Sequence, residues 1–155
     1  MPRITIPIHL RWGDLDAYGH VNNVTLLELL QEARVRAFWN RGGGDGPETA
    51  VIDADPGTDS LTLIARQEVE YLLPIPYLTE PISIEMWLTK LGGSSIEVAY
   101  EVRSPASGEE RLLYARAATV IVFIDAQTQR PRRLGRVERA AWEPYVGEPI
   151  AFRRG

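Results

Sequence analysis

The sequence predicts an α+β fold in which one antiparallel sheet curls around one long central helix. The first observation is an alternation of apolar and polar residues over ITIPIHLRW, at positions 4–12. The second is a change to helical spacing of the apolar residues from Val24 onward. The third is a series of four strand-like segments joined by short, glycine-containing turns.

The first strand has its apolar residues on one face and polar residues on the other. Proline lacks the N–H that a neighbouring strand would accept, so Pro7 indicates a strand at the edge of the sheet. Gly13 and Gly19 are expected to end this strand. The apolar face consists of Ile4, Ile6, Ile8 and Leu10.

The long helix is predicted from apolar residues at spacings of three and four. Its apolar stripe is wide, so we expect burial over most of its circumference. Asn22 or Asn23 is the natural N-cap, since an asparagine side chain accepts hydrogen bonds from free N–H groups. The segment RGGGDG, at positions 41–46, is expected to end the helix with a glycine cap. The stripe includes Leu26, Leu29, Leu30, Ala33 and Ala37.

A loop is predicted over positions 46–60, followed by four strands. The last three strands should form an antiparallel meander, because their connections are short and rich in glycine. The final strand contains the most continuous apolar run and is expected to be central in the sheet. A short helix ended by Pro144 should follow. The strand segments are 60–73, 81–91, 96–104 and 111–125, and the short helix falls within 133–145.

Composition narrows the classes of function. A length of 155 residues points to a single domain over 1-155, and a formal net charge of −4 gives no broad electrostatic reason to expect nucleic acid or a membrane surface. The absence of cysteine excludes disulfides, thiolate catalysis and cysteine-based metal sites. The beginning of the chain lacks the continuous apolar core of a signal peptide, and the longest apolar run, Val120 to Ile124, is far too short to span a membrane. A cytoplasmic location is therefore expected.

The segment DLDAYGHVNN, at positions 14–23, lies between the first strand and the long helix. A helix N-terminus presents free N–H groups and a partial positive charge. An acid just upstream lies beside these donors, so a candidate base or nucleophile and a candidate oxyanion site come together here. Asp14 and Asp16 both qualify, since alternation along an extended chain would point them the same way.

Four segments together resemble the hotdog-fold acyl-CoA thioesterases of the 4-hydroxybenzoyl-CoA thioesterase type (4HBT-like). They are DLDAYGHVNN followed by LLQEAR, then ARQEVEYLLPIPY, WLTKLGGSSIEVAYEV and FIDAQTQRPRRL, and they occur in the family's order over nearly the whole chain. The resemblance implies a hotdog fold and hydrolysis of acyl-CoA to free acid and CoA. It implies no metal or other cofactor. It also implies a homodimer or homotetramer with its sites at the subunit interface.

The resemblance assigns the catalytic carboxylate to Asp16, the second acid of the motif, and the oxyanion donor to the backbone N–H of Asn23. Whether Asp16 attacks the thioester directly or acts as general base for water stays open. His20 has two interpretations: its side chain orients the substrate carbonyl or hydrogen-bonds the acid, or the residue simply caps a turn.

Further residues are expected to contact substrate. The glycine of the motif allows close approach of a ligand, and the residues at the helix start flank the thioester. Leu26 stands where family members frequently carry a tyrosine, which favours a more aliphatic acyl pocket. The hairpin GGSS often lies near the pantetheine arm in this family. The substrate-binding candidates are Gly19, Val21, Asn22, Leu26, Gly93 and Ser95.

Other interpretations fit less well. A metal site built from Asp14, Asp16 and His20 lacks a second histidine and any recognised ligand spacing. The nucleophile motif of serine hydrolases is missing, and GGSS joins two strands rather than opening a helix, as a phosphate-binding loop would. A hotdog dehydratase would carry its histidine and acid in a different motif. The alternative that stays open is a non-catalytic acyl-CoA-binding module, although such a module has no need for Asp16.

Overall fold

The computed structural model describes residues 2–40, 44, 46–53 and 57–153. A five-stranded antiparallel sheet, in the order β1-β5-β6-β7-β4, carries the main helix α1, and β2 pairs with β3 in a separate two-stranded ribbon. This α+β architecture with one antiparallel sheet confirms the predicted class. The elements are β1 Ile4–Ile8, α1 Asn23–Phe38, β2 Trp39–Asn40, β3 Ile52–Asp53, β4 Ser60–Tyr71, β5 Ile82–Leu91, β6 Ser95–Arg103, β7 Leu113–Asp125 and α2 Arg136–Trp142, with 3-10 turns at Trp12–Asp14 and Glu143–Tyr145.

The sheet contains the predicted meander β5-β6-β7, and β1 with Pro7 lies at one edge as expected. β7 pairs with β6 on one side and β4 on the other. It is therefore an interior strand, but β6 is the middle one, which corrects the expected central position of β7. Register shifts after Ile64 and after Leu88 mark β-bulges, which bend and twist a sheet.

The helix α1 begins as predicted, because the Asn22 side chain accepts hydrogen bonds from the N–H groups of Val24 (2.8 Å) and Thr25 (3.3 Å). It lies with one face on the sheet, while Val24 is 60% exposed and Glu28 is also exposed. The predicted central helix enclosed by the sheet is not shown. The wide apolar stripe predicted burial over most of the helix, but positions such as Leu27 are only half-buried. The buried face consists of Leu26, Leu29, Leu30, Ala33, Arg34, Ala37 and Phe38.

The end of α1 differs from the prediction. Trp39 is the C-cap in an extended conformation, and its N–H donates to the carbonyl of Val35, so the expected glycine cap is wrong. Trp39 and Asn40 instead pair in parallel with residues 52 and 53, inside the stretch predicted to be loop. Most of the glycine-rich segment, at 41–43 and 45, lies outside the described residues, as do positions 54–56 of the predicted loop.

Trp142, at the end of α2, closes the core beside the C-terminal half of α1. Its ring packs edge-on against Phe38, with centroids 6.0 Å apart, and lies 5.8 Å from the ring of Phe123. Its indole N–H donates to the carbonyl of Thr49 at 2.9 Å. The helix ends just before Pro144, as predicted. Among the described residues, no helix is both long enough and apolar enough to cross a membrane.

Candidate active site

The loop between β1 and α1 folds back on itself instead of continuing the strand. After the 3-10 turn, the N–H of Asp16 donates to the carbonyl of His20 (2.7 Å), and the N–H of Gly19 donates to the carbonyl of Asp16 (3.1 Å). Gly19 has φ +79°, a conformation that a side chain disfavours. Since the chain is not extended through positions 14–16, Asp14 and Asp16 have different surroundings.

Asp14 is buried, with 1% of its surface exposed. One carboxylate oxygen accepts the backbone N–H of Arg11 at 2.8 Å, and the other accepts the Arg11 guanidinium at 3.0 Å. These interactions raise the pKa of Arg11. The Asp14 carbonyl also accepts the N–H of Asn22 at 2.9 Å. The Asp14 carboxylate therefore holds the start of the loop at Arg11, and the Asp14 carbonyl holds its end at Asn22. These contacts stabilise the loop.

Asp16 is only half-buried and lies at the wall of a cavity. Its Oδ1 accepts two backbone N–H groups, from Tyr18 at 2.8 Å and from His20 at 3.2 Å. Within the described part of the chain, no donor reaches its Oδ2. One oxygen therefore fixes the carboxylate while the other is available to water or substrate.

The cavity has a volume of about 360 Å³ and opens beside the start of α1. The capping Asn22 side chain occupies the N–H groups of Val24 and Thr25. The N–H of Asn23, the first helical residue, finds no acceptor in the part of the chain that is described. The helix dipole places partial positive charge here, and α1 has no acidic side chain in its first turn to oppose it. One wall is formed by Asp16, His20, Val21, Asn23 and Leu26.

His20 contributes both backbone and side chain to this region. Its N–H and carbonyl close the turn around Asp16, and its backbone forms an isolated antiparallel bridge with Pro76. His20 is half-buried and belongs to the residues that line the cavity. The turn-closing interpretation therefore describes its backbone, and the role of its side chain stays a prediction.

The opposite wall was not identified from the sequence. It consists of the end of β4, the apolar turn that follows, and the start of β7, which lie far along the chain from the loop. The N–H of Val21 donates to the carbonyl of Ile75 at 2.9 Å and joins the two walls. Two signals could have drawn attention to this segment: it contains an apolar turn directly after a strand, and it lies within ARQEVEYLLPIPY, one of the segments that carry the family resemblance. Its residues are Tyr71, Leu72, Leu73, Pro74, Ile75, Tyr114 and Ala115.

Two tyrosines belong to this second wall. The Tyr71 hydroxyl donates to the main-chain carbonyl of Asn23 at 2.8 Å. Desolvation raises the pKa of Tyr71 and of Tyr114 above the ordinary value, so both phenols stay protonated at neutral pH. Tyr71 is thus a hydrogen-bond donor at the first residue of α1.

The remaining sequence candidates fall into two groups. Asn22 and Gly19 shape the cap and the turn and do not line the cavity. Gly93 and Ser95 lie in the β5–β6 hairpin beside Arg133 and opposite Val122 of β7. Ala115, which lines the cavity, is seven residues from Val122 along the same strand, about 23 Å at 3.3 Å per residue. One chain alone does not bring this hairpin to the cavity.

The chain belongs to the thioesterase-like superfamily, whose family model matches residues 10–148. The architecture is consistent with the hotdog fold of thioesterases. No curated protein matches the chain. In the described part of the chain, no group of three or more histidine, aspartate or glutamate side chains is arranged to hold a metal ion.

Solved structures support the same family. A Pseudomonas aeruginosa protein is 25% identical with a TM-score of 0.75, covering 94% of this chain and 97% of its own. A Thermus thermophilus thioesterase solved with coenzyme A and zinc is 26% identical with a TM-score of 0.67, and the coverages are 94% and 95%. A Xanthomonas campestris protein proposed to be an acyl-CoA thioesterase is 29% identical with a TM-score of 0.64, and the coverages are 83% and 97%.

Proposed function

We propose that this protein hydrolyses acyl-CoA thioesters to a free acid and CoA. One observation carries the proposal: Asp16, which has a carboxylate oxygen without a donor, and Asn23, whose N–H has no acceptor among the described residues, line the same cavity. The coenzyme A bound to the Thermus thermophilus relative supports CoA as the thiol component. The apolar cavity walls suit an acyl group next to the thioester.

The chemistry follows from this arrangement. The thioester carbonyl oxygen accepts the Asn23 N–H, and the helix dipole stabilises the negative charge that develops on it. In one route, Asp16 takes a proton from water as the water oxygen attacks the carbonyl carbon. The C–S bond then breaks, and the proton passes to the departing CoA thiolate. In the other route, a carboxylate oxygen of Asp16 attacks the carbonyl carbon, the C–S bond breaks and CoA leaves as the thiolate. Water then hydrolyses the resulting anhydride, which releases the acid, restores the Asp16 carboxylate and supplies the proton that the CoA thiolate takes.

The neighbouring residues have supporting roles in this proposal. His20 and Asp16 line the same cavity, and the His20 ring is assigned the orientation of the thioester carbonyl. Val21 and Leu26 form the apolar surface against the acyl group. Gly19 and Asn22 act indirectly, through the turn that holds Asp16 and the cap that starts α1.

Thiol release from a panel of acyl-CoAs tests the activity, with Asp16→Asn as the matched inactive variant. The expected result is CoA release by the wild type that the variant lacks. Binding of acyl-CoA without release by the wild type would instead indicate the non-catalytic module. Release of no thiol together with conversion between enoyl-CoA and hydroxyacyl-CoA would indicate a dehydratase. A parallel panel of acyl-carrier-protein thioesters decides between the two thiol carriers.

We also propose that the protein is at least a homodimer. β4 is an edge strand of 12 residues whose exposed apolar side chains include Leu61, Leu63 and Ile64, whereas the other edge, β1, has five residues and a proline. A long apolar edge invites pairing with a second chain. The β5–β6 hairpin and Ser60 of β4 lie at the same end of the sheet, and Tyr71 lies at the opposite end of β4. Antiparallel pairing of two β4 strands would therefore bring the hairpin end of one sheet beside the Tyr71 end of the other. In that arrangement the partner contributes the hairpin of Gly93 and Ser95 to the site.

Light scattering at micromolar concentration tests this assembly. The wild type should have at least twice the mass of one chain, and Leu63→Lys, which places a charge on the β4 edge, should shift it toward a monomer. Thr5→Lys, on the other edge strand, is the matched control and should leave the mass unchanged. A wild type that is a stable and fully active monomer would contradict both the assembly and the shared site.

A further inference from the structure

Tyr71 connects the edge strand β4 to the start of α1 across the cavity. Its hydroxyl lies 2.8 Å from the Asn23 carbonyl oxygen, and its ring is part of the cavity wall. The backbone around it is fixed, because Tyr71 pairs with Ala115 and the next two N–H groups both donate to the Tyr114 carbonyl, at 2.9 and 3.0 Å. The donor is therefore held by the sheet and not by a mobile loop.

The acceptor of this hydrogen bond is the residue whose N–H is the proposed oxyanion donor. Asn23 is itself exposed, and its side chain makes no hydrogen bond among the described residues. An oxyanion donor is effective only when it is already oriented before charge develops, since reorganisation during the reaction costs free energy. A second bond to the Asn23 carbonyl, beyond the one that helix geometry provides, limits the movement of this first residue.

We propose that Tyr71 is a positioning residue for thioester hydrolysis, which fixes the start of α1 and with it the Asn23 N–H. The inference rests on the proposed function, because it gives Tyr71 a role in the same oxyanion site. Tyr71 acts through Asn23 and needs no contact with the reacting atoms. A tyrosine phenol is protonated at neutral pH at its ordinary pKa of about 10, and desolvation raises the pKa of Tyr71 further, so the hydroxyl is a donor at working pH.

Tyr71→Phe is the direct test, because it removes one oxygen and keeps the ring that lines the cavity. The turnover number kcat should fall by roughly 2- to 10-fold, the factor for losing one neutral hydrogen bond. KM should stay close to the wild-type value, since the apolar wall is kept, and the thermal midpoint should fall only slightly, since the lost hydrogen bond is an exposed one. Tyr145→Phe is the matched control, as Tyr145 lies in the turn after α2, outside the cavity lining, and should leave kcat unchanged.

A spectroscopic measurement is independent of activity. The Asn23 carbonyl and the Val24 N–H belong to one peptide group, so Tyr71→Phe should shift the Val24 amide resonance and leave that of Ser94 in place. An unchanged kcat in Tyr71→Phe would overturn the inference, and so would a loss that appears only in KM or in the thermal midpoint. Failure of the wild type to release thiol from every thioester would refute the proposed function instead, and the Val24 shift would still report whether the contact orders the helix start.

Discussion

The loop between β1 and α1 contains two aspartates, Asp14 in its first half and Asp16 in its second, and their surroundings differ. In the half from Arg11 to Asp14, the carboxylate is buried and both of its oxygens are occupied by Arg11. In the half from Asp16 to His20, the carboxylate is half-buried, and only one oxygen is held by the backbone. The comparison shows that neighbouring acids differ in surroundings because of the turn between them, which directs one into the fold and the other to a cavity.

The largest expected effect comes from the second half of the loop. Asp16→Asn keeps the size of the side chain and an oxygen that can accept the two N–H groups, but it removes the base. We predict a fall in kcat of ~10²-fold or more, the usual scale for loss of a general base. Steady-state thiol release measures it, and urea unfolding should show little change in stability.

The opposite result for the two aspartates would contradict the roles proposed for them. Near wild-type turnover in Asp16→Asn, together with loss of turnover in Asp14→Asn, would assign the chemistry to the first half of the loop and refute the proposed site.

Substitution of Asp14, in the first half of the loop, should lower the free energy of unfolding and leave the turnover number almost unchanged. Asp14→Asn removes the buried negative charge that accepts the Arg11 guanidinium and backbone N–H. We predict a decrease in the free energy of unfolding of about 1–3 kcal/mol, the scale for disturbing a buried hydrogen-bonded group. Urea unfolding measures the loss, and kcat of the folded variant should stay within a few-fold of wild type. An unchanged unfolding midpoint would show that the Arg11 contact contributes nothing.

Much of the fold could be predicted from periodicity, because burial repeats every two residues in a strand and about every 3.6 in a helix. The positions of β4 to β7, the edge position of Pro7 and the cap at Asn22 all follow from such local rules. The pairing of Trp39 with Ile52 was not predictable this way. Two-residue strands have no period, and their partners are set by tertiary packing.

Only one wall of the candidate site could be predicted from the sequence. The loop, the helix start and Leu26 are contiguous in sequence, so a local motif could identify them together. Tyr71 contacts Asn23 across 48 positions, and no local pattern encodes that distance. The different environments of Asp14 and Asp16 depend on a turn whose geometry an assumed extended strand conceals.

A third prediction concerns the cavity wall that adjoins the second half of the loop. Leu26 is a buried residue of α1 that lines the cavity, and an aliphatic wall selects acyl groups only weakly, by ~1–3 kcal/mol per methylene. We therefore expect a broad preference for aliphatic acyl-CoAs over benzoyl-CoA. Leu26→Tyr should shift kcat/KM toward aryl or shorter acyl groups.

The measurement is kcat/KM for both enzymes on a hexanoyl-to-palmitoyl series and on benzoyl-CoA. An identical profile for the two enzymes would show that residue 26 does not contact the acyl group. A wild type that strongly prefers benzoyl-CoA would refute the aliphatic pocket itself.

The smallest expected effect concerns the turn that separates the two halves. Gly19 has φ +79°, and a Cβ added there would meet no atom within 4 Å, so the cost of Gly19→Ala is confined to the backbone. We predict a loss of stability of about 1 kcal/mol, the lower end of the range for a side chain in the left-handed region. Gly13→Ala is the matched control, since that position has equally open space without a positive φ. Gly19→Asn should cost less than Gly19→Ala, because asparagine tolerates this conformation. Urea unfolding of the three variants measures these differences. Equal stability of Gly19→Ala and Gly13→Ala would contradict the prediction. It would show that the turn at Gly19, which separates Asp14 from Asp16, does not require a positive φ.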